Sequence, residues 1–377
     1  MLKPQTSKPV VPEPDLEEGN PIDELPLTPE EALALYRGAL GNDECTGMLL
    51  GVSGGPDSMA LLGLTASARA YLPPVAVATV DHGIRKESRD EANFVAEFCK
   101  EIGIPHCILL WTEGVGATNV SQEAARKGRY ALLTGHARAI DASHMVTAHT
   151  LDDQAETVLM RLAAGTGLGG LGAMRPNVER GALRHIRPFL EVPKSRLVAT
   201  CTQNHWLYAK DPSNEDSRFA RTRFRSLMPI LAGEGLTPER LGTLAARARR
   251  TEDALDHVAR RTVENSIIRR APDGGAIRLK ADVFYTEPFD LALRMLKLAM
   301  LAIGMEGHTD VQISLSKLER LLKNLRMAIR DQRPFRQSLA WTVIAHGGGF
   351  IEVRTAPPRR AIKEKSGATL RADTRRN

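Results

Sequence analysis

The chain has 377 residues, enough for two or three domains, and its 42% hydrophobic and 25% charged content is that of a soluble globular protein with a net charge of +6. No stretch approaches the ~20 consecutive apolar residues of a membrane span, and the N-terminus lacks the apolar core of a signal peptide. A cytoplasmic location with no membrane partner is therefore expected, and Cys45, Cys99, Cys107 and Cys201, scattered without CxxC spacing, suggest neither a zinc site nor a disulfide framework. Residues 1–26, rich in proline and acids and without periodicity, are expected to be disordered. Thr28-Pro29-Glu30-Glu31 joins an N-cap, a proline at the first helical position and a capping-box glutamate, which predicts a helix through Ala39. From there apolar runs of β type, Met48 to Val52, Val75 to Val80, Cys107 to Trp111 and Met145 to Ala148, alternate with helical patterns at Asp57 to Tyr71, Lys86 to Ile102 and Ser121 to Ile140. This alternation predicts an α/β domain over residues 27–232, a Rossmann-like parallel sheet with helices on both faces. Ligands of such sheets bind beyond the carboxyl ends of the strands, where Val52 to Ser58, Val80 to Gly83 and Ala148-His149 all fall.

Asp153 to Ala164 reads as a helix with Ala155, Val158, Leu159, Leu162 and Ala163 on its inward stripe, which sets Asp153 and Glu156 one turn apart at the flank. Gly165 to Gly170 spells GxGxxG but follows a helix instead of a strand, so the spacing predicts a helix C-cap and a mobile loop, not a dinucleotide fingerprint. Beyond residue 232 the pattern is helical, at Pro238 to Ile268, Phe289 to Ile303 and Leu315 to Ile329, giving a helical domain over 233–335. Leu339 to Ala345 and Phe350 to Val353 around Gly347-Gly348-Gly349 predict a hairpin within 336–357, and 358–377 form a basic tail. Basic residues cluster at Arg218 to Arg225, at Gln312 to Arg336 and in that tail; such clusters could contact a polyanion, though charge alone favours a solvated helix face and a disordered tail.

The most informative turn is Ser53-Gly54-Gly55-Pro56-Asp57-Ser58, between an apolar strand and a helix. Backbone N–H groups at a helix start, favoured by the helix dipole, make an anion site. A Walker loop requires a lysine followed by Ser or Thr, and Pro56-Asp57-Ser58 stand there instead. The turn is therefore suited to hold pyrophosphate as a leaving group, with Ser53 and Ser58 donating and Asp57 holding Mg2+. A purely structural Gly-Gly turn is the alternative for these residues taken alone.

Five ordered stretches resolve that alternative: the turn, Val80-Asp81-His82-Gly83-Ile84-Arg85, Gln122 to Arg126 with Arg129-Tyr130, Ala148-His149 through Thr157, and Asp211-Pro212-Ser213-Asn214. Together they resemble the tRNA(Ile)-lysidine synthetase family of the PP-loop ATP pyrophosphatases, strongly over residues 45–232 and more weakly beyond. The resemblance implies ATP as co-substrate, free L-lysine and a minor isoleucine tRNA with a wobble cytidine as partners, and AMP and pyrophosphate as products. It further implies that Asp81 and His82 take the adenosine half, that Asp153 and Glu156 bind and orient lysine, and that Arg126 and Arg129 neutralise polyphosphate or developing AMP charge. His149 is implied at the substrate side, with a satisfied, partly buried histidine as its alternative. The family's Arg-Asn-x-Ile/Leu-Arg segment appears as Arg221-Thr222-Arg223-Phe224-Arg225, without its asparagine but with arginines suited to the tRNA backbone. Two other readings are a tRNA thiolase, against which the unpaired cysteines speak, and a non-catalytic nucleotide sensor, which leaves Asp57, Asp153 and Glu156 without a shared task.

Overall fold

The computed structural model describes residues 25–83, 87–112, 122–209, 220–303 and 313–356. The N-terminal extension up to residue 24, Ile84-Arg85, Asp211 to Asn214 and the basic tail lie outside the described residues. Two compact units divide after Glu252.

The N-terminal unit opens with helix α1 (Pro29–Leu40), and its capping box forms as the sequence predicts. Thr28 Oγ1 accepts from Glu31 N at 3.2 Å and Glu31 Oε2 accepts from Thr28 N at 3.0 Å. Then follow β1 (Met48–Gly51), α2 (Pro56–Ser67), β2 (Val75–Asp81), α3 (Glu87–Glu101), β3 (His106–Leu110), α4 (Gln122–Ala139), β4 (His144–Val146) and α5 (Leu151–Ala163). The next elements are α6 (Leu168–Leu171), β5 (Asn177–Arg180), β6 (Leu183–Ile186), α7 (Lys194–Gln203), α8 (Ala220–Gly233) and α9 (Pro238–Ser266). Six strands pair in the order β3-β2-β1-β4-β6-β5, parallel throughout except for β5, which runs antiparallel to β6.

Side-chain alternation explains why the central strands read as unbroken apolar runs. Met48 and Leu50 of β1 and Val75 and Val77 of β2 enter one core, while Leu49 and Ala78 enter a second core on the opposite face. With both faces covered, no position of β1 or β2 is exposed. Helix α2 is buried from Ser58 through Thr65, and Gly63 is what lets it lie against α7: a Cβ there would overlap the Trp206 ring.

Three expectations need correction here. Leu162 is 56% exposed, because the buried stripe of α5 ends one turn early, at Leu159, before Gly165 turns the chain at φ +66°. The glycine-rich segment is not a plain loop but contains α6, held by Arg161, whose Nη1 donates to Gly170 O at 2.7 Å and Ala173 O at 3.1 Å. β5 and β6 extend the sheet where the sequence pattern indicates no strand.

The C-terminal unit, from Asp253, contains the end of α9 followed by β7 (Ile267–Arg270), β8 (Ala276–Lys280), α10 (Asp282–Thr286), α11 (Phe289–Leu301), α12 (Leu315–Arg330), β9 (Phe335–Leu339), β10 (Thr342–Gly347) and β11 (Phe350–Thr355). The expected hairpin is β10–β11, turned by Gly348 and Gly349 at φ +62° and +81°, but it belongs to a five-stranded antiparallel sheet, β7-β8-β11-β10-β9. It is not a separate module, since Ile344, Ile351 and Val353 share one core with Leu293 and Leu296 of α11 and Leu318, Leu321 and Leu325 of α12. The outer face of α12 exposes Lys317, Arg320, Lys323 and Arg330. Among the described residues no helix is long and apolar enough to cross a membrane.

Candidate active site

The strand order reverses between β1 and β4, and the turns leaving those two strands carry the residues singled out by sequence. After β1, Gly54 adopts φ +89°, a region that favours glycine, and α2 begins at Pro56 without any side-chain cap on Gly55. The first N–H groups of α2 are therefore left for a ligand. The turn is braced from inside: Ser53 N donates to Ser58 Oγ at 3.2 Å, and Ser58 Oγ donates to Gly55 O at 2.9 Å.

Asp57, in the first turn of α2, reaches Lys194 Nζ at 3.6 Å, while its Oδ1 is buried without a hydrogen-bond partner. Burial pushes its carboxyl up to about 6; Lys194 opposes the rise, and Asp153 and Asp152 reinforce it. After β4, α5 is closed by a second capping box, in which Thr150 N donates to Asp153 Oδ2 at 3.0 Å. Asp152 Oδ2 accepts from Lys194 N at 2.7 Å, so the start of α5 is tied to the start of α7. The first turns of α2, α5 and α7 thus converge.

Glu156 is buried and engaged by two guanidiniums of α8: Arg225 Nε lies 2.7 Å from Oε1 and Arg221 Nε 2.9 Å from Oε2. Burial still raises the Glu156 carboxyl above its ordinary value, against the pull of Arg225 and Arg221. Arg221 also stands 3.9 Å from Asp153 Oδ1. The three arginines of the Arg221-to-Arg225 segment, grouped by sequence, are therefore separated by structure. Arg221 and Arg225 face the carboxylates and Arg223 faces outward, because a helix turns the middle residue away.

His149 is buried at the end of a hydrogen-bond chain whose direction is fixed by its first member. Arg187 Nη2 can only donate, so His185 Nδ1 accepts at 3.0 Å, and His185 Nε2 then donates to Thr147 Oγ1 at 2.8 Å. The Thr147 hydroxyl proton is then free to be donated to His149 Nδ1 at 2.8 Å, the tautomer that gives His149 an Nε2–H to offer. Burial, with Arg187 and further arginines nearby, holds both imidazoles well below their ordinary range, so His149 is a neutral donor and not a base.

Asp81 ends β2 and is buried; its Oδ1 accepts from Gly83 N at 3.0 Å and from Ser88 Oγ at 2.8 Å, so it shapes the turn at the strand end. His82 stacks edge-on against Trp111 with ring centroids 5.9 Å apart. Arg126 and Arg129 lie over the Tyr130 ring of α4. The sequence reading missed Asp152, Lys194, Thr147, His185 and Arg187; Lys194 alone carried a local signal, a lysine after proline at a helix start.

An uncapped Gly-Gly turn at the switch point of a parallel sheet, with no Walker lysine, defines a PP-loop nucleotide-binding domain, and the PP-loop domain family matches residues 31–231. A tRNA(Ile)-lysidine synthase of Methylobacterium sp. (strain 4-46) is 45% identical over 342 residues, covering 90% of this chain and 97% of that protein. A tRNA(Ile)-lysidine synthase of Bradyrhizobium sp. is 40% identical over 357 residues, covering 91% and 98%. The chain belongs to the tRNA(Ile)-lysidine synthase family, ATP-dependent ligases of the PP-loop class. Among solved structures, the U34-tRNA thiolase NcsA from Methanococcus maripaludis superposes with a TM-score of 0.50 at 20% identity, over 59% of this chain and 78% of that one, a likeness of fold.

Proposed function

We propose that this enzyme uses ATP to adenylate the C2 oxygen of the wobble cytidine of a minor isoleucine tRNA. Free L-lysine then displaces AMP through its side-chain amine, forming lysidine. Cytosine C2 is a poor electrophile with a poor leaving oxygen, and adenylation makes that oxygen part of a stable leaving group.

The observation that carries this reading is the contact of opposite requirements. An anion-binding turn adjoins a group of carboxylates, the buried Glu156 and the half-buried Asp57, Asp152 and Asp153, whose charges act on one another. A polyphosphate and a cationic amine meeting at one carbon need both. The N–H groups of Gly54 and Gly55 and the Ser53 hydroxyl hold the leaving pyrophosphate on a turn that Pro56 opens and Ser58 braces, and Asp81 and His82 border the adenosine. Asp57 suits a magnesium ion, because its raised carboxyl and its orphaned Oδ1 are both relieved by a cation. Bound there, magnesium supplies charge neutralisation on the departing pyrophosphate. Asp153 and Glu156 orient the lysine amine, which takes up contacts that Arg221 and Arg225 make in the ligand-free protein, and the raised Glu156 carboxyl is suited to accept the amine's proton. His149 offers its Nε2–H to substrate oxygen. The outward Arg223 and the basic face of α12 hold the tRNA backbone.

A thiolase would require a reactive thiolate at this place. The nearest thiol, Cys201, donates to Pro56 O at 3.5 Å and is pushed up to about 12 by burial, first of all, and by Asp57. The test is pyrophosphate release measured with each substrate omitted in turn. Release that requires the isoleucine tRNA, with radiolabelled lysine entering that tRNA, is the expected result. Turnover independent of tRNA, or incorporation of sulfur in place of lysine, overturns the proposal.

A further inference from the structure

Glu156, whose side chain is 3% exposed, faces two guanidiniums but is hydrogen-bonded by one. Arg225 Nε donates to its Oε1 at 2.7 Å. Its Oε2 lies 2.9 Å from Arg221 Nε, yet both of those atoms are buried without a hydrogen-bond partner. The distance is short and the direction is wrong, and a hydrogen bond weakens steeply as the N–H turns away from its acceptor. A buried carboxylate oxygen in that state is better served by a donor that can choose its direction. An ammonium offers three donors that rotate about one bond, whereas a guanidinium offers a rigid planar fork.

The helix that carries both arginines is loosely held. No residue of α8 is buried; Phe224, Met228 and Leu231 are half-buried against Ala155, Val158 and Leu159 of α5 and Leu241 and Ala245 of α9. Its outward side leaves Leu227 44% and Ile230 67% exposed. Inside the helix stands Pro229, also exposed. A proline has no N–H for the carbonyl four residues earlier, and its ring presses against that carbonyl. That carbonyl belongs to Arg225. Along α8, the bond withheld is thus the one that would fix the backbone of the arginine on Glu156. Arg221 and Arg225 both precede Pro229, so a bend there moves the two together.

We propose that Arg225 is a tethered stand-in for the lysine ammonium, and that α8 hinges at Pro229 to withdraw it from Glu156 when lysine enters. The device rests on the reading of Asp153 and Glu156 as the amine's site and adds regulation to it. The empty site keeps its buried carboxylate neutralised, and lysine binds with an affinity reduced by the fraction of molecules in which α8 is closed. An amine that meets Glu156 less well than the guanidinium does, such as one on a shorter side chain, leaves the helix in place.

Pro229→Ala tests this, because it alters no charged group and gives the Arg225 carbonyl an N–H. The ligand-free Tm is expected to rise by about 4 °C, and the lysine KM by about fivefold or more. Pyrophosphate release without lysine, which reads tRNA adenylation, is expected to stay as in the parent. In an Arg225→Gln background the same substitution is expected to leave the lysine KM where it was, since no guanidinium remains to be held on Glu156. Where that background turns over too slowly for a KM, the rise in Tm on adding lysine gives the same comparison. A raised Tm with an unchanged lysine KM makes Pro229 a structural kink alone and overturns the proposal. An equal rise of KM in both backgrounds overturns it too. Glu156→Gln is assayed alongside: an unchanged lysine KM there removes the amine from this carboxylate and with it the reading on which the hinge rests. A KM raised by Glu156→Gln but not by Pro229→Ala sinks the hinge and leaves that reading standing.

Discussion

Asp57→Asn is expected to abolish pyrophosphate release and yet stabilise the ligand-free protein at neutral pH. The carboxyl is displaced from 3.8 to about 6 in the folded chain, mainly by burial. The sign follows from proton counting: between those two values the native state binds more protons than the unfolded chain, so stability falls as pH rises through that window and then levels off. At about 1.4 kcal/mol per unit, the ceiling of the penalty above the window is ~3 kcal/mol. The side chain keeps 24% of its accessible surface, where solvent relieves part of the charge. We therefore expect roughly 1–2 kcal/mol of stabilisation by asparagine at about pH 8 and none at about pH 3, below both values. Trp111 and Trp206 lie in the N-terminal unit and Trp341 in the other, so urea unfolding followed by fluorescence in a Trp341→Phe background reports on the relevant unit. Titration without nucleotide or magnesium is essential, since both act on the same carboxyl. A stability difference that is flat with pH, or a variant less stable than the parent at the alkaline end, would refute the reasoning.

Glu156→Gln removes the countercharge shared by Arg221 and Arg225 and is expected to raise the lysine KM by about tenfold or more while tRNA adenylation persists; an unchanged KM with lost adenylation moves Glu156 to the nucleotide. Gly63→Ala drives a methyl into the Trp206 ring and should cost about 1–3 kcal/mol in the N-terminal unit, read as a lowered urea midpoint and partly restored by adding Trp206→Leu. His149→Gln, which retains an N–H donor, should keep more turnover than His149→Ala, and the pH profile of neither should lose a limb near the ordinary histidine range; a limb present in the parent and absent in both variants makes His149 a base after all.

Much of the N-terminal unit was legible because its signals are local. The Thr28 capping box, the strand–turn–helix around Gly54 and the apolar runs of β1 and β2 each occupy a few consecutive residues and each need no partner to be read. β5 and β6, spelled Asn-Val-Glu-Arg and Leu-Arg-His-Ile, carry too few apolar residues to announce themselves, so Arg180, His185 and Arg187 stayed hidden with them. Lys194 meets Asp57 across a long stretch of chain, and only the meeting of α2 with α7 makes that pair. The capping role of Asp153 was masked by its functional motif: one oxygen serves the helix start, and the same residue presents the other to Arg221. In the C-terminal unit β7 and β8 were overlooked for want of an apolar run, and it is pairing with β11 that holds β8 in place.

Three successive carbonyls of the turn after β1 are already taken. Gly54 O takes the N–H of Ala209 at 2.9 Å, Gly55 O takes Met59 N at 2.9 Å and Ser58 Oγ at 2.9 Å, and Pro56 O takes the Cys201 thiol at 3.5 Å. What the backbone has left to show a visitor at this point is N–H, so the turn sorts by sign before any side chain acts. A metal ion arriving alone finds the carbonyls of Gly54, Gly55 and Pro56 already engaged, and Asp57 is the side chain that meets it. Truncating both serines would weaken the grip but leave the polarity.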